Sequence, residues 1–139
     1  MVNRKKATDG MTRTAKDIMT QPVVTANDQM ILTDAIKLLL RWHIYSMPVV
    51  DSSGKLVGLL TEDDVVNSAF SGNAKDTIVR EVMDTKVKTY SPDARVEEIV
   101  NNFAAGQVRS VPVMEGGKII GIISRRDVIR ELNRIYSQF

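Results

Sequence analysis

Two short motifs in the sequence place a hydroxyl residue three positions before a carboxylate, Thr61-x-x-Asp64 and Ser124-x-x-Asp127. An ionised carboxylate accepts hydrogen bonds from ligand hydroxyls, and charge-assisted bonds of this type are roughly twice as strong as neutral ones. The same spacing is also that of a capping box, in which both side chains close the start of a helix. The two roles are compatible, because a hydroxyl at the cap can leave the carboxylate free.

The sequence lacks the residues on which most catalytic and metal sites depend. It has no cysteine and only one histidine, His43, and it contains no His-x-x-x-His, Gly-x-Ser-x-Gly, Walker loop or Gly-x-Gly-x-x-Gly pattern. We therefore expect no catalytic residue, no metal ligand and no enzyme activity. The lack of cysteine favours a reducing compartment, the cytoplasm, and no apolar run approaches the roughly 20 residues of a membrane span.

An internal repeat relates the two hydroxyl–carboxylate motifs. A shift of 64 residues superimposes the first half of the chain on the second, and one deletion in the second copy then reduces the shift to 63. The equivalent stretches are 17–19 and 81–83, 23–25 and 87–89, 46–51 and 110–115, 54–61 and 117–124, and 64–65 and 127–128. The two motifs thus occupy equivalent positions in two copies of one module.

Each copy has the same predicted order of elements. An extended piece at 23–25 or 87–89 precedes an amphipathic helix at about 28–42 or 92–105, with Asn27 and Ser91 as predicted N-caps. Two strands around a glycine-containing turn follow, and then a second helix at about 62–70 or 125–136. Pro48 and Pro112 lack a backbone donor, so their strands should lie at an edge or pair only beyond the proline.

These boundaries predict a flexible basic leader at 1–15, repeat 1 at 16–70, a linker at 71–77 and repeat 2 at 78–136. Residues 1–16 carry five of the 19 basic residues and one of the 17 acidic ones, which leaves residues 17–139 with a net charge of −2. The basic character is therefore confined to the leader, which could be a solvated tail or could contact phosphates.

The ordered set of motifs, present twice, resembles the cystathionine-β-synthase (CBS) domain. The resemblance covers residues 16–136 and rests on an acidic-apolar-Met opening, a Val-x-Thr stretch, an amphipathic helix, an apolar-Pro-Val strand and Gly-x-x-(Ser/Thr)-x-x-Asp. It implies an α/β fold of two tandem CBS repeats, often called a Bateman module. Each repeat is a small two- or three-stranded sheet with two helices, and a pseudo-twofold axis relates them.

The resemblance also implies a regulatory function. Paired CBS domains bind AMP, ADP, ATP or S-adenosylmethionine between the copies, where the motif hydroxyls and carboxylates hold the ribose, and they need no obligatory cofactor. The two implied ligand sets are Thr25, Ile44, Tyr45, Ile122, Ser124 and Asp127 for one cleft, and Thr89, Val108, Leu59, Thr61 and Asp64 for the other.

One position departs from the symmetry that the resemblance implies. A basic residue that reaches phosphate often precedes the apolar-Pro-Val strand in this family, and Arg109 fills that position in repeat 2, whereas repeat 1 has Tyr45. A guanidinium suits phosphate geometry, so the sequence predicts phosphate near Arg109, with Arg125 or Arg126 assisting. We therefore expect unequal clefts, with nucleotide favoured in the cleft that Arg109 reaches.

The resemblance further implies a homodimer and a regulated partner such as an enzyme or a transporter. The apolar faces of the second helices are the predicted dimer contacts: Val65, Val66, Ala69 and Phe70, and Val128, Ile129, Leu132 and Ile135. Two alternatives remain open, a structural dimerisation module that binds no ligand and a nucleic-acid contact through the leader.

Overall fold

A computed structural model describes residues 13–69, 75–106 and 108–138 of the chain. The described residues form five α-helices, five strands and a short 3-10 helix at Val79–Glu81. The helices are α1 (Ala15–Ile18), α2 (Leu32–Arg41), α3 (Glu62–Ser68), α4 (Val96–Ala104) and α5 (Arg125–Tyr136). The strands are β1 (Ala26–Asn27), β2 (Ser46–Val50), β3 (Leu56–Thr61), β4 (Ser110–Glu115) and β5 (Lys118–Ser124). The mixed α/β fold of two similar repeats is confirmed.

The amphipathic helices α2 and α4 start later than predicted. Their N-cap residues are Ile31 and Arg95, not Asn27 and Ser91, so the two predicted N-caps are wrong. Asn27 instead closes a turn, because its Oδ1 accepts the backbone N–H of Gln29 at 2.9 Å. Asparagine stabilises such turns as readily as it caps helices, which is why the sequence pattern placed the boundary too early.

The two sheets are small, and the prediction that the proline strands pair only beyond the proline holds on one side of each strand alone. On the other side, β2 pairs with β3 and β4 pairs with β5 along the whole strand, with Pro48 opposite Leu59 and Pro112 opposite Ile122, so there the prediction is wrong. Strand β2 lies between β1 and β3, and β1 pairs with it in parallel only at Val49 and Val50, beyond Pro48. The second sheet contains β4 and β5 alone, with a parallel bridge from Tyr90 to Val113, beyond Pro112. Among the described pairings, the missing proline donor therefore limits the pairing with β1 and the bridge to Tyr90, and not the ladders to β3 and β5.

The compact units of the chain do not follow the boundaries of the sequence repeat. One unit is Val23–Val87, here called the repeat-1 unit. The other combines Met1–Pro22 with Lys88–Phe139 and is here called the repeat-2 unit. Each repeat therefore gives its opening segment to the unit built around the other repeat. Residues 1–12 of the predicted leader and 70–74 around the predicted linker lie outside the described residues.

The opening segment of each repeat packs on a strand of the other repeat through a contact between a methionine and a glycine. In the repeat-2 unit Met19 lies directly against Gly121 of β5, where an added Cβ would collide with the methionine side chain. Met83 lies against Gly58 of β3 in the same way in the repeat-1 unit. Glycine in these strands thus permits the close approach of a neighbouring segment. Each methionine also packs on the core of its unit.

Each unit has its own hydrophobic core. The repeat-1 core includes Leu32, Met47, Leu60 and Val79, and the repeat-2 core includes Ile18, Ile99, Phe103, Val111 and Ile123. In the second of these cores, Ile18 comes from the exchanged opening segment. Among the described residues, no helix combines the length and apolarity that crossing a bilayer requires.

Candidate functional site

The Thr61–Asp64 pair lies where β3 passes directly into α3. The Asp64 Oδ2 atom accepts the backbone N–H of Thr61 at 2.9 Å and its hydroxyl at 2.9 Å. The Thr61 hydroxyl in turn accepts the Asp64 N–H at 3.2 Å, which completes the capping box. No donor among the described residues bonds to the other carboxylate oxygen, Asp64 Oδ1. The pair therefore caps the helix and keeps one acceptor oxygen available.

The Ser124–Asp127 pair occupies the equivalent junction between β5 and α5, and its carboxylate is fully engaged. The Asp127 Oδ2 atom accepts the Ser124 N–H at 2.8 Å and the Ser124 hydroxyl at 3.0 Å. The Asp127 Oδ1 atom accepts the Thr20 hydroxyl at 2.6 Å and the Arg130 guanidinium at 2.8 Å. Asp127 is only 2% exposed. The two motifs are thus alike in sequence and unlike in hydrogen bonding.

The difference arises from two positions that the motif itself does not contain. At the repeat shift of 64 residues Thr20 corresponds to Asp84, and at the shift of 63 Arg130 corresponds to Asn67. An ionised aspartate has no donor, so Asp84 cannot replace the threonine hydroxyl at the Asp64 carboxylate. Its Oδ1 atom accepts the backbone N–H of Lys86 at 2.9 Å instead.

Thr20 and Arg130 were not predicted as site residues. Thr20 follows the Met19 opening and gave no signal, because its partner lies 107 positions away in the sequence. Arg130 could have been recognised, since a basic residue three positions after Asp127 on one helix lies close enough to pair with it.

The twelve predicted site residues divide equally between the units. The repeat-1 unit holds Thr25, Ile44, Tyr45, Leu59, Thr61 and Asp64, and the repeat-2 unit holds Thr89, Val108, Arg109, Ile122, Ser124 and Asp127. The structure brings each hydroxyl–carboxylate pair together. It also places Ile122 opposite Thr20 and Leu59 opposite Asp84, through paired backbone hydrogen bonds of 2.8–3.1 Å.

Ile44 and Tyr45 line an apolar groove in the repeat-1 unit, between the end of α2 and helix α3. The groove has a volume of about 290 Å³ and is lined by Ile36, Leu39, Leu40, His43, Ile44, Tyr45, Glu62, Val65 and Val66. Three of its side chains are largely exposed, Leu40 at 71%, Tyr45 at 74% and Val66 at 60%. His43 has a left-handed backbone with a φ of 53° at the end of α2, so it serves in the turn.

A second buried carboxylate lies on helix α5, away from the predicted motif. Glu131 is 2% exposed and accepts hydrogen bonds from Arg13 at 3.0 Å and from Arg134 at 2.9 Å through both of its oxygens. Burial alone would raise the pKa of Glu131, but the two guanidinium groups outweigh it and hold the pKa below its usual value. This cluster ties the chain start to the repeat-2 unit.

Comparison with known proteins defines the class to which this fold and site belong. The family model described as CBS domain matches residues 15–70 and 79–134, which together make up most of the chain. The chain therefore belongs to the CBS domain family and carries two copies of that domain in tandem.

Three similar proteins illustrate this relationship. The L-aspartate semialdehyde sulfurtransferase of Methanocaldococcus jannaschii is 31% identical over 116 residues, which cover 83% of this chain but only 22% of that enzyme. The CBS-domain protein ATU1752 of Agrobacterium tumefaciens has a TM-score of 0.78 at 26% identity, and the match covers 88% of this chain and 96% of that one. The CBS domain pair of protein MJ0100 has a TM-score of 0.78 at 29% identity, over 88% of this chain and 98% of that one. The structure of that pair contains 5′-methylthioadenosine and S-adenosyl-L-methionine.

Proposed function

We propose that this chain is a regulatory module that binds an adenosine-containing ligand and transmits the binding event to a partner. The observation that carries the proposal is the Oδ1 atom of Asp64, which accepts no hydrogen bond from the residues that the structure describes, while the other oxygen of this carboxylate is fixed by the Thr61 cap. A fixed carboxylate with one available oxygen is a preorganised acceptor for a hydroxyl group. The family membership and the nucleoside ligands of MJ0100 make the ribose of an adenosine compound the matching donor.

In this proposal the Asp64 site is the principal ribose site. Within the described parts of the chain, the ligand needs to displace no donor from Asp64 Oδ1, whereas Asp127 already accepts four hydrogen bonds. The resemblance combines Asp64 with Leu59, Thr61, Thr89 and Val108, and that set stays a prediction. The expectation from the sequence that the ligand favours the cleft that Arg109 reaches stays a separate prediction.

Titration calorimetry with AMP, ADP, ATP, S-adenosylmethionine and 5′-methylthioadenosine tests the proposal. We expect at least one of them to bind, and Asp64→Asn to weaken that ligand about tenfold or more, since hydrogen bonds to charged groups contribute about 1.5–3 kcal/mol. Asp63→Asn is the matched control on the same helix turn.

A ligand lacking the 2′-hydroxyl separates ribose recognition from an indirect effect of the substitution. The 2′-deoxy analogue should bind the wild-type chain more weakly than the parent ligand, and this difference should shrink in Asp64→Asn. No binding of any of the five ligands at millimolar concentration would refute the sensor function and leave the structural module as the account of this chain. Binding that Asp64→Asn leaves unchanged would refute the assignment of the ribose site.

The phosphate role of Arg109 has a separate readout within the same titration. 5′-Methylthioadenosine has no phosphate, so Arg109→Ala should weaken AMP and leave 5′-methylthioadenosine unaffected. Equal weakening of both ligands would show that Arg109 supports the fold or the adenine and does not bind phosphate.

The apolar groove of the repeat-1 unit supports a second part of the proposal, a homodimer. Helix α3, beside the groove, begins with Glu62 and Asp63, whereas α5 begins with Arg125 and Arg126. Helix α5 also exposes Ile129 at 64% and Tyr136 at 69%. Opposite charges and apolar side chains on both surfaces fit α5 of one copy to the groove of another. Val128, predicted as a dimer contact, is buried in its own core, and that prediction is wrong.

Substitutions that introduce or reverse charge at the groove test the homodimer. Leu40→Glu should shift the chain from dimer to monomer in sedimentation equilibrium, because a buried unpaired carboxylate opposes association. Ser52→Glu, in the exposed turn between β2 and β3, is the control and should leave the mass unchanged. Glu62→Arg and Arg125→Glu should each weaken the dimer, and together they should restore it. A dimer that resists Leu40→Glu would contradict this interface.

The nucleic-acid alternative is restricted to a smaller part of the chain. Arg13, one of the basic residues assigned to the leader, is bonded to Glu131, so a nucleic-acid contact would depend on residues 1–12. Deleting residues 1–12 is therefore the right test of that alternative. A cytoplasmic location, the lack of enzyme activity and the existence of a regulated enzyme or transporter remain predictions of the proposed function.

A further inference from the structure

A threonine from the start of the chain occupies the carboxylate that the second motif would offer to a ligand. An ionised carboxylate has about four lone-pair sites for hydrogen bonds. At Asp127 the donors Ser124 N, Ser124 Oγ, Thr20 Oγ1 and Arg130 Nη1 occupy all four, at 2.6–3.0 Å. Both hydroxyls of a ribose can bind Asp127 Oδ1 only if Thr20 and Arg130 both leave that oxygen.

Thr20 is the donor held most firmly from outside the motif. Its backbone N–H donates to Ile122 O at 2.8 Å, and its carbonyl accepts the Ile122 N–H at 3.1 Å. Met19, the preceding residue, packs against Gly121, and the side chain of the following residue, Gln21, donates to Ile120 O at 2.8 Å. The Arg130 side chain, in contrast, is 65% exposed and can move into solvent. The two backbone hydrogen bonds between Thr20 and Ile122 are here called the backbone anchor. Because the β-branched Thr20 also has few rotamers, the backbone anchor keeps its hydroxyl on Asp127.

The repeat-1 unit contains an equivalent backbone anchor, in which Asp84 takes the place of Thr20. Asp84 pairs with Leu59 through two backbone hydrogen bonds of 2.9 Å, just as Thr20 pairs with Ile122. Its side chain cannot donate when ionised, and Asp64 Oδ1 keeps no donor among the residues that the structure describes. The two units therefore have the same backbone pairing, but the paired residue is a hydroxyl donor, Thr20, in one unit and a carboxylate, Asp84, in the other.

We propose that Thr20 is a specificity-determining residue that closes the Asp127 site, so that the chain binds one ribose ligand, at Asp64. This inference rests on the proposed function and adds the stoichiometry to it. The opening segment of the chain thus competes with the ligand for one of two equivalent carboxylates. The Asp127 site of repeat 2 then keeps its internal hydrogen bonds, and the ligand binds only at Asp64 of repeat 1.

Substitutions that remove the hydroxyl at position 20 or introduce one at position 84 test the inference. Calorimetry with 5′-methylthioadenosine or AMP should give about one site per chain for the wild type and for Thr20→Ser, which keeps a hydroxyl. Thr20→Val removes the donor at nearly constant shape and should raise the count to about two sites. Asp127→Asn in the Thr20→Val background should then remove the added site. A Thr20→Val chain that is folded by circular dichroism and still binds one ligand would overturn the inference.

The reciprocal variant keeps the test decisive if Thr20→Val fails to fold. Asp84→Thr introduces a hydroxyl at the position equivalent to Thr20 and should weaken the wild-type site about tenfold, the effect of one competing charge-assisted hydrogen bond. Unchanged affinity in Asp84→Thr would contradict the inference. A wild type with two equal sites would refute the role of Thr20 and leave the sensor function intact, whereas a wild type that binds no ligand would refute the sensor function itself.

Discussion

A chain that lacks residues 1–22 is expected to lose the folded structure of its repeat-2 unit, although those residues belong to repeat 1 by sequence. The deletion removes Ala15 and Ile18 from the repeat-2 core. Removing a single buried Ile or Leu side chain commonly costs about 2–5 kcal/mol. It also removes Thr20 and Arg13, the partners of the buried carboxylates Asp127 and Glu131.

These losses together approach the whole stability of an ordinary domain, about 5–15 kcal/mol. Amide hydrogen exchange at residues 110–124 should show the loss of protection directly, because β4 and β5 form the sheet of this unit. Deletion of residues 1–12 is the control, since Arg13 and every contact just named remain, and its exchange should match the full chain. Full protection of β4 and β5 in the longer deletion would disprove the exchange of opening segments.

The second large effect is expected at Glu131. Glu131→Gln should lower the free energy of unfolding by about 2 kcal/mol at pH 7. The reason is that Arg13 and Arg134 would then donate to a neutral amide in place of a negatively charged carboxylate. The guanidinium groups are about one-third exposed, which keeps the loss below that of a fully buried pair. Glu98→Gln, on the exposed face of α4, should change the stability little.

The effect of Glu131→Gln should also depend on pH in one direction. The fold holds the pKa of Glu131 below its usual value. Its contribution is therefore complete above the unfolded-state pKa, near 4.3, and disappears as the pH falls through the lower folded-state pKa. The free energies of urea unfolding of the wild type and of Glu131→Gln should differ at pH 7, and the difference should shrink as the pH falls below the unfolded-state pKa. A difference that is constant over this range would mean that the substitution acts through packing and not through charge.

The sequence was sufficient to predict the two repeats, the order of their elements and both hydroxyl–carboxylate pairs. These features depend on local patterns, such as the apolar periodicity of α2 and the glycine-containing turns, and each occurs twice in equivalent positions. Their agreement in two copies is what distinguishes them from chance. The helix starts were missed, because Asn27 stabilises a turn where an N-cap was expected.

The exchange of opening segments and the difference between the carboxylates could not be predicted from such patterns. Thr20 and Asp127 are 107 positions apart, and Arg13 and Glu131 are 118 apart. Nothing local marks such pairs, since their contact depends on which unit a segment joins. The motif alone therefore made Asp64 and Asp127 look alike, and only the donors around each of them distinguish their chemistry.

The central claim is that a ribose hydroxyl binds the free oxygen of Asp64. A crystal structure of the full chain grown with 5′-methylthioadenosine tests it most directly, because the ligand has no phosphate to direct it elsewhere. We predict a ribose hydroxyl within hydrogen-bond distance of Asp64 Oδ1, about 2.5–3.0 Å, with the Thr20 hydroxyl still on Asp127. A ribose bound to Asp127 with Thr20 displaced, and solvent at Asp64, would contradict the account.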